Sequence, residues 1–151
     1  MASTSKAGTR GFTLIEVMIT VAIVGILTTI AMSMYSLQVQ KSRRTDARTA
    51  VLDLAGREER FYSVSNNYSQ TPSDLGYPGV FPQNVGSNFY SINVVVGVGP
   101  PPANAPTYVI TATAINQQLN DTSCFSFSIN QLGQQSSLDS GGGNSTATCW
   151  T

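Results

Sequence analysis

The sequence predicts an α+β protein: a long amino-terminal α-helix packed on a small antiparallel β-sheet. Three observations carry that reading. Residues 12–34 form an apolar run that holds one charge, Glu16. An apolar stripe at helical spacing follows, to about residue 64. Beyond residue 89, short alternating β-branched and aromatic segments are separated by turn formers.

Residues 1–11 are short, polar and basic, with Lys6 and Arg10. From Phe12 to Met34 the exceptions to apolar character are Glu16, Thr13, Thr20, Thr28, Thr29, Ser33 and the neutral Gly25. A helix of that length reaches about 35 Å, enough to cross a bilayer. An ordinary secretory signal fits poorly, because the run is too long and Ala31-Met32-Ser33 is a weak cleavage site. A plain anchor accommodates the run but gives no reason for Glu16, since a carboxylate in a membrane-length segment is costly and usually functional.

The helix is expected to continue from Tyr35 to about Val64. Ala47, Val51, Leu54, Glu58 and Phe61 step by four, three, four and three, an apolar stripe except at Glu58. Together, residues 12–64 span roughly 80 Å of helix. Lys41, Arg43, Arg44 and Arg48 form a basic cluster past the apolar run. Three readings of it stand: a solvated face, pairing between subunits with Glu58, Glu59 or Asp74, and a DNA contact. Exposed pairs of that kind contribute about 0–1 kcal/mol each.

Residues 65–88 are rich in turn formers and read as a loop joining helix to sheet. Its tyrosines read either as core anchors or as surface groups. Strands are expected at 90–96, 108–114 and 125–129. Asn130-Gln131-Leu132-Gly133 reads as a turn into a short fourth strand near 134–137. The proline cluster between Gly97 and Pro106 reads as an exposed connection.

Formal net charge is zero, yet ten of the sixteen charged side chains lie between Lys41 and Arg60. From Phe61 to Thr151 only Asp74, Asp121 and Asp139 are charged, so a broad basic nucleic-acid footprint is absent there. The chain contains no histidine, which removes the commonest general base and the commonest metal ligand. A Ser–His–Asp triad is impossible, and Lys41, the one lysine beyond residues 1–11, sits beside the apolar run. No catalytic residue, cofactor site, metal site or phosphate-binding glycine loop is expected. Cys124 and Cys149 are the two cysteines. An even count beyond an apolar segment points to a disulfide in an oxidising compartment, with two free thiols as the alternative. Trp150 beside them reads as a packing anchor or an exposed contact residue.

Gly11-Phe12-Thr13-Leu14-Ile15-Glu16-Val17-Met18-Ile19 resembles the class III leader junction and helix start of type IVa pilins. Ser42-Arg43-Arg44-Thr45-Asp46-Ala47 and Arg57-Glu58-Glu59-Arg60-Phe61-Tyr62 are similar to PilE-like pilins. The resemblance is strong from about Lys6 to Tyr68. It implies five regions: a cleaved leader at 1–11, a membrane and fibre-core helix at 12–34, an amphipathic helix half at 35–64, an αβ-loop at 65–88, and a sheet with a carboxyl-terminal disulfide loop at 89–151. It implies that prepilin peptidase cuts between Gly11 and Phe12 and methylates the Phe12 amine. Glu16 would then meet the Phe12 ammonium of a neighbouring subunit, and Cys124 would pair with Cys149.

The implied partners are further copies of this chain in a helical filament, other pilins, prepilin peptidase and the inner-membrane assembly machinery. Nucleic acid is not expected as a partner of the subunit alone. The implied location is the inner membrane, with the distal domain periplasmic, and then an extracellular pilus. Basic residues flank both ends of the apolar run, so orientation rests on the cysteines and the resemblance rather than on charge count. Motility, adhesion and DNA uptake are the associated roles, and a pseudopilin of a type II secretion system is the alternative. One departure is Ser33, which stands where the family often has proline. Local melting between Gly25 and Ser33 and a more continuous helix therefore both remain open.

Overall fold

The computed structural model describes residues 11–100 and 104–151, apart from the side chain of Ser33. Lys6 and Arg10 of the basic leader, and residues 101–103 of the proline-rich connection, lie outside the described residues. The chain divides into two compact units, Met1–Gln38 and Val39–Thr151.

Helix α1 spans Leu14–Ser65. Thr13 caps it, its hydroxyl oxygen accepting from the Glu16 amide at 3.3 Å. Thr13-Leu14-Ile15-Glu16 thus fits the S/T-x-x-E pattern of a helix start, and Glu16 supplies the acidic residue of the first turn. Three hydroxyls within the apolar run are satisfied locally. Thr20 donates to the Val17 carbonyl, Thr28 to Val24 and Thr29 to Ile26, at 2.7–2.9 Å. Those bonds let three hydroxyls sit in an apolar environment without unpaired donors. Residues 25–33 are helical in the single chain, serine rather than proline at 33 leaving the backbone donor in place. Asn66, at φ 56°, ends α1 in the left-handed conformation, its amide donating to the Tyr62 carbonyl at 2.8 Å.

In the second unit, Ala47, Val51, Leu54 and Ala55 of α1 are buried. They pack in one core with the inward side of a five-stranded sheet. The strands are β1 (Gln83–Val85), β2 (Tyr90–Val98), β3 (Pro106–Ala114), β4 (Ser126–Asn130) and β5 (Gln135–Leu138). They lie in sequence order, every pair antiparallel. Period-two alternation decides the inward set: Tyr90, Ile92 and Val94; Tyr108, Ile110, Ala112 and Ala114; Phe127 and Ile129.

The region expected to be loop holds a 3-10 turn, Pro72–Leu75, and strand β1. β1 has three residues, pairing Gln83 with Ile92 and Val85 with Tyr90. So short a strand has no alternation to announce it in sequence. The expected fourth strand is β5, reached through a turn at Asn130 in which Gly133 takes φ 71°. Tyr68 and Tyr77 are half-buried against the core. The last element, α2, spans Thr146–Cys149.

Candidate assembly site

The described residues of the first unit present an exposed apolar surface. An 18-residue window of α1 has mean hydropathy 2.3 and is 0% buried. By length and composition this helix is able to cross a membrane. Glu16 is exposed, one turn from Phe12, which is also exposed. Phe12 nitrogen is a peptide nitrogen in this uncleaved chain, so an ammonium would exist there only after cleavage at Gly11. What the arrangement can do chemically is therefore clear. It can offer one carboxylate on an otherwise apolar helix to a cation brought by another molecule.

The second unit is locked by a polar network that sequence reasoning did not anticipate. Arg44 donates to both carboxylate oxygens of Asp121, at 2.6 and 2.7 Å. The side chains are 18% and 2% exposed. Asp121 also accepts from Gln118 Nε2 at 2.9 Å and from the Cys124 amide at 3.4 Å. Gln118 donates again to the Tyr90 hydroxyl at 3.1 Å. Its hydrogen bond with Asp121 holds the Arg44 guanidinium above its ordinary value. Burial pushes the Tyr90 hydroxyl up to about 12, with Asp121 adding to the effect. The network joins α1, β2 and the segment before the disulfide.

Other members of the basic cluster are also engaged within the chain. Arg43 lies over the Phe89 ring, 3.5 Å from its centroid. Arg48 donates to the Thr151 carbonyl at 2.6 Å and to Thr45. The proposed pairing of this cluster with Glu58 in a neighbour is overturned, because Glu58 is fully buried in its own subunit. The stripe position that read as an interruption is a core position.

Cys124 and Cys149 form a disulfide with Cα atoms 5.8 Å apart. Both are buried. It ties the segment just before β4 to α2 and closes the glycine-rich tail onto the sheet. Trp150 serves as a packing anchor there. Its ring meets Phe127 edge-on at 5.8 Å, and its Nε1 donates to the Ser136 carbonyl at 2.8 Å. Asp139 Oδ1 accepts from the Gly141 and Gly143 amides at 2.9 and 2.8 Å, so this carboxylate organises a turn.

Two family models match this chain. Residues 6–32 match the prokaryotic N-terminal methylation motif. Residues 33–128 match "Type IV minor pilin ComP, DNA uptake sequence receptor". The chain belongs to the type IV pilins. A curated relative is the "Type IV major pilin protein PilA" of Myxococcus xanthus strain DK1622, 38% identical over 68 residues. That alignment covers 45% of this pilin and 31% of the relative. The second model ends inside β4, so β5, α2, Cys149 and Trp150 of this pilin lie beyond it.

Proposed function

We propose that this pilin is exported as a precursor, cut between Gly11 and Phe12, methylated at Phe12 and polymerised through residues 12–34 into a surface pilus. The observation that carries the reading is the exposed apolar stretch 12–34 of the long helix, with Glu16 as its one charge. A helix that is apolar all round needs lipid or other helices around it. In the inner membrane, lipid would cover it, with the second unit on the periplasmic side. In a fibre, the same segments of neighbouring subunits would.

Glu16 then sets the register. A carboxylate taken into an apolar bundle costs several kcal/mol unless paired. The Phe12 ammonium of a neighbour is a cation presented at the matching depth, so only the correct axial offset avoids that penalty. Prepilin peptidase and the assembly motors are separate proteins, and the pilin's own part is non-enzymatic. Twitching motility and adhesion would follow from the fibre rather than from a reactive site.

DNA uptake is a second reading, favoured by the family description matched over residues 33–128. Three cations of the basic cluster are engaged within the subunit, Arg44 on Asp121, Arg43 on Phe89 and Arg48 on the Thr151 carbonyl. A DNA contact would therefore have to compete with those contacts or use other cations. The test of the main reading is intact-mass and amino-terminal analysis of filaments sheared from cells. A dominant species beginning at methylated Phe12 supports it. A chain retaining Met1–Gly11 refutes it. Mature chain found solely in the inner membrane, with no filaments, would favour the pseudopilin of a secretion machine instead.

A further inference from the structure

Among the described residues, Glu58 is the one carboxylate that the core of the second unit buries without a cation. Its side chain is fully buried. One oxygen, Oε2, accepts from the Ser69 backbone amide at 3.1 Å. The other, Oε1, is buried with no hydrogen-bond partner. Ser69 is itself the knot of the following segment: its hydroxyl donates to Asp74 at 2.7 Å and accepts from the Thr71 amide at 3.0 Å. The Glu58–Ser69 bond therefore joins α1 to the segment that carries the 3-10 turn.

The titratable groups that act on Glu58 are acidic or phenolic. Glu59 lies beside it on α1, Asp74 on the 3-10 turn, and Tyr68 and Tyr108 on the segment and on β3. Neighbouring cations are spent elsewhere. Arg57 donates to Asp53 at 2.8 Å and to the Leu75 carbonyl at 2.9 Å, and Arg60 to the Gly56 carbonyl. An ionised carboxylate here would be desolvated, half-paired and among like charges, which is the costly combination. A protonated one would be neutral and could still accept from Ser69.

We infer that Glu58 is a proton-controlled latch, holding residues 66–77 on α1 when its carboxyl is protonated and loosening them when it ionises. Burial, followed by Glu59 and Asp74, raises this carboxyl from 4.5 to about 7, against the opposing effect of the Ser69 bond. A carboxyl raised in the folded state holds its proton more tightly when folded. Its contribution is complete below the unfolded value and is lost as pH climbs through about 7. A cleft of about 350 Å³ separates Arg57, Arg60 and Phe61 of α1 from Asp74, Leu75 and Gly76 of the segment. Release would expose Pro72 and Leu75, the buried residues of that same segment.

The test is amide exchange on the full chain in detergent micelles, corrected for intrinsic exchange, between about pH 5.5 and about pH 8.5. Protection at Ser69 and across 66–77 should fall on the order of tenfold through neutrality in the wild type, while the β3 amides hold. Glu58→Gln, which mimics the protonated acid, should remove that fall. Superimposable profiles for the two proteins would overturn the latch. The carboxyl carbon shift of Glu58 in the unmodified chain gives an independent reading. An inflection near neutrality supports the latch, and one at the ordinary carboxylate value overturns it whether or not the variant folds.

Discussion

Asp121→Ala tests the interior of the second unit most sharply. The substitution leaves Arg44 with a guanidinium that is mostly shielded from water and has lost both of its carboxylate bonds. It also removes an acceptor from Gln118 and from the Cys124 amide. Removing one partner of a buried pair typically costs 3–5 kcal/mol, because a charge stays behind unpaired. Arg44 retains some solvent access, and Gln118 retains the Tyr90 hydroxyl, so the lower end applies: about 3 kcal/mol. The assay is urea unfolding of the full chain in micelles, followed by fluorescence of Trp150, the sole tryptophan. That indole packs on Phe127 and reports the second unit directly. Asp121→Asn keeps the shape and one acceptor oxygen, and should lose about half as much. The pair Arg44→Met with Asp121→Leu should recover part of the loss, since no orphaned charge remains. A loss below about 1 kcal/mol for Asp121→Ala would mean that the pair behaves as a surface contact, and the reasoning would fail.

Three further outcomes are expected. Glu16→Ala should be exported and cleaved normally yet yield at least about tenfold fewer filaments, a 1.4 kcal/mol penalty per docking event sufficing for that; wild-type yield in sheared-filament assays would count against the register role. Reducing Cys124–Cys149, which spans 25 residues of sequence, should lower stability by roughly 3.5 kcal/mol, read as a drop in thermal midpoint. Gly143→Ala would place a Cβ 2.6 Å from Asp139 Oδ2. It should displace that carboxylate from the Gly141 and Gly143 amides and cost about 1 kcal/mol, visible as lost amide protection at both glycines.

Sequence periodicity and the observed burial agree wherever one repeat runs along one element. The stripe from Ala47 to Leu54 is buried, and the strands at Tyr90 and Tyr108 alternate as expected, whereas in the third Ser126 is buried next to Phe127. The turn at Asn130 and the strand after it were legible because asparagine and glycine specify backbone geometry locally. The cap at Thr13 is a local pattern of the same kind, Thr13-Leu14-Ile15-Glu16, which the sequence reading passed over. Strand β1 was not legible, since three residues carry too little pattern and the partner is what makes them a strand.

By itself, the sequence determined the architecture: an apolar helix with one carboxylate, an amphipathic continuation, an alternating sheet and a cysteine pair. Each of these is written in residues close enough together for a period or a count to reveal it. Only the tertiary structure decided that Arg44 meets Asp121, 77 positions away, and that Arg43 covers Phe89. It alone decided that Glu58 is buried among acids rather than offered to a neighbour. The physical reason is that a charged side chain has the same local pattern whether it faces solvent or a partner. Its fate depends on which distant group the packing of helix on sheet brings within a few ångströms, and on whether water is excluded there.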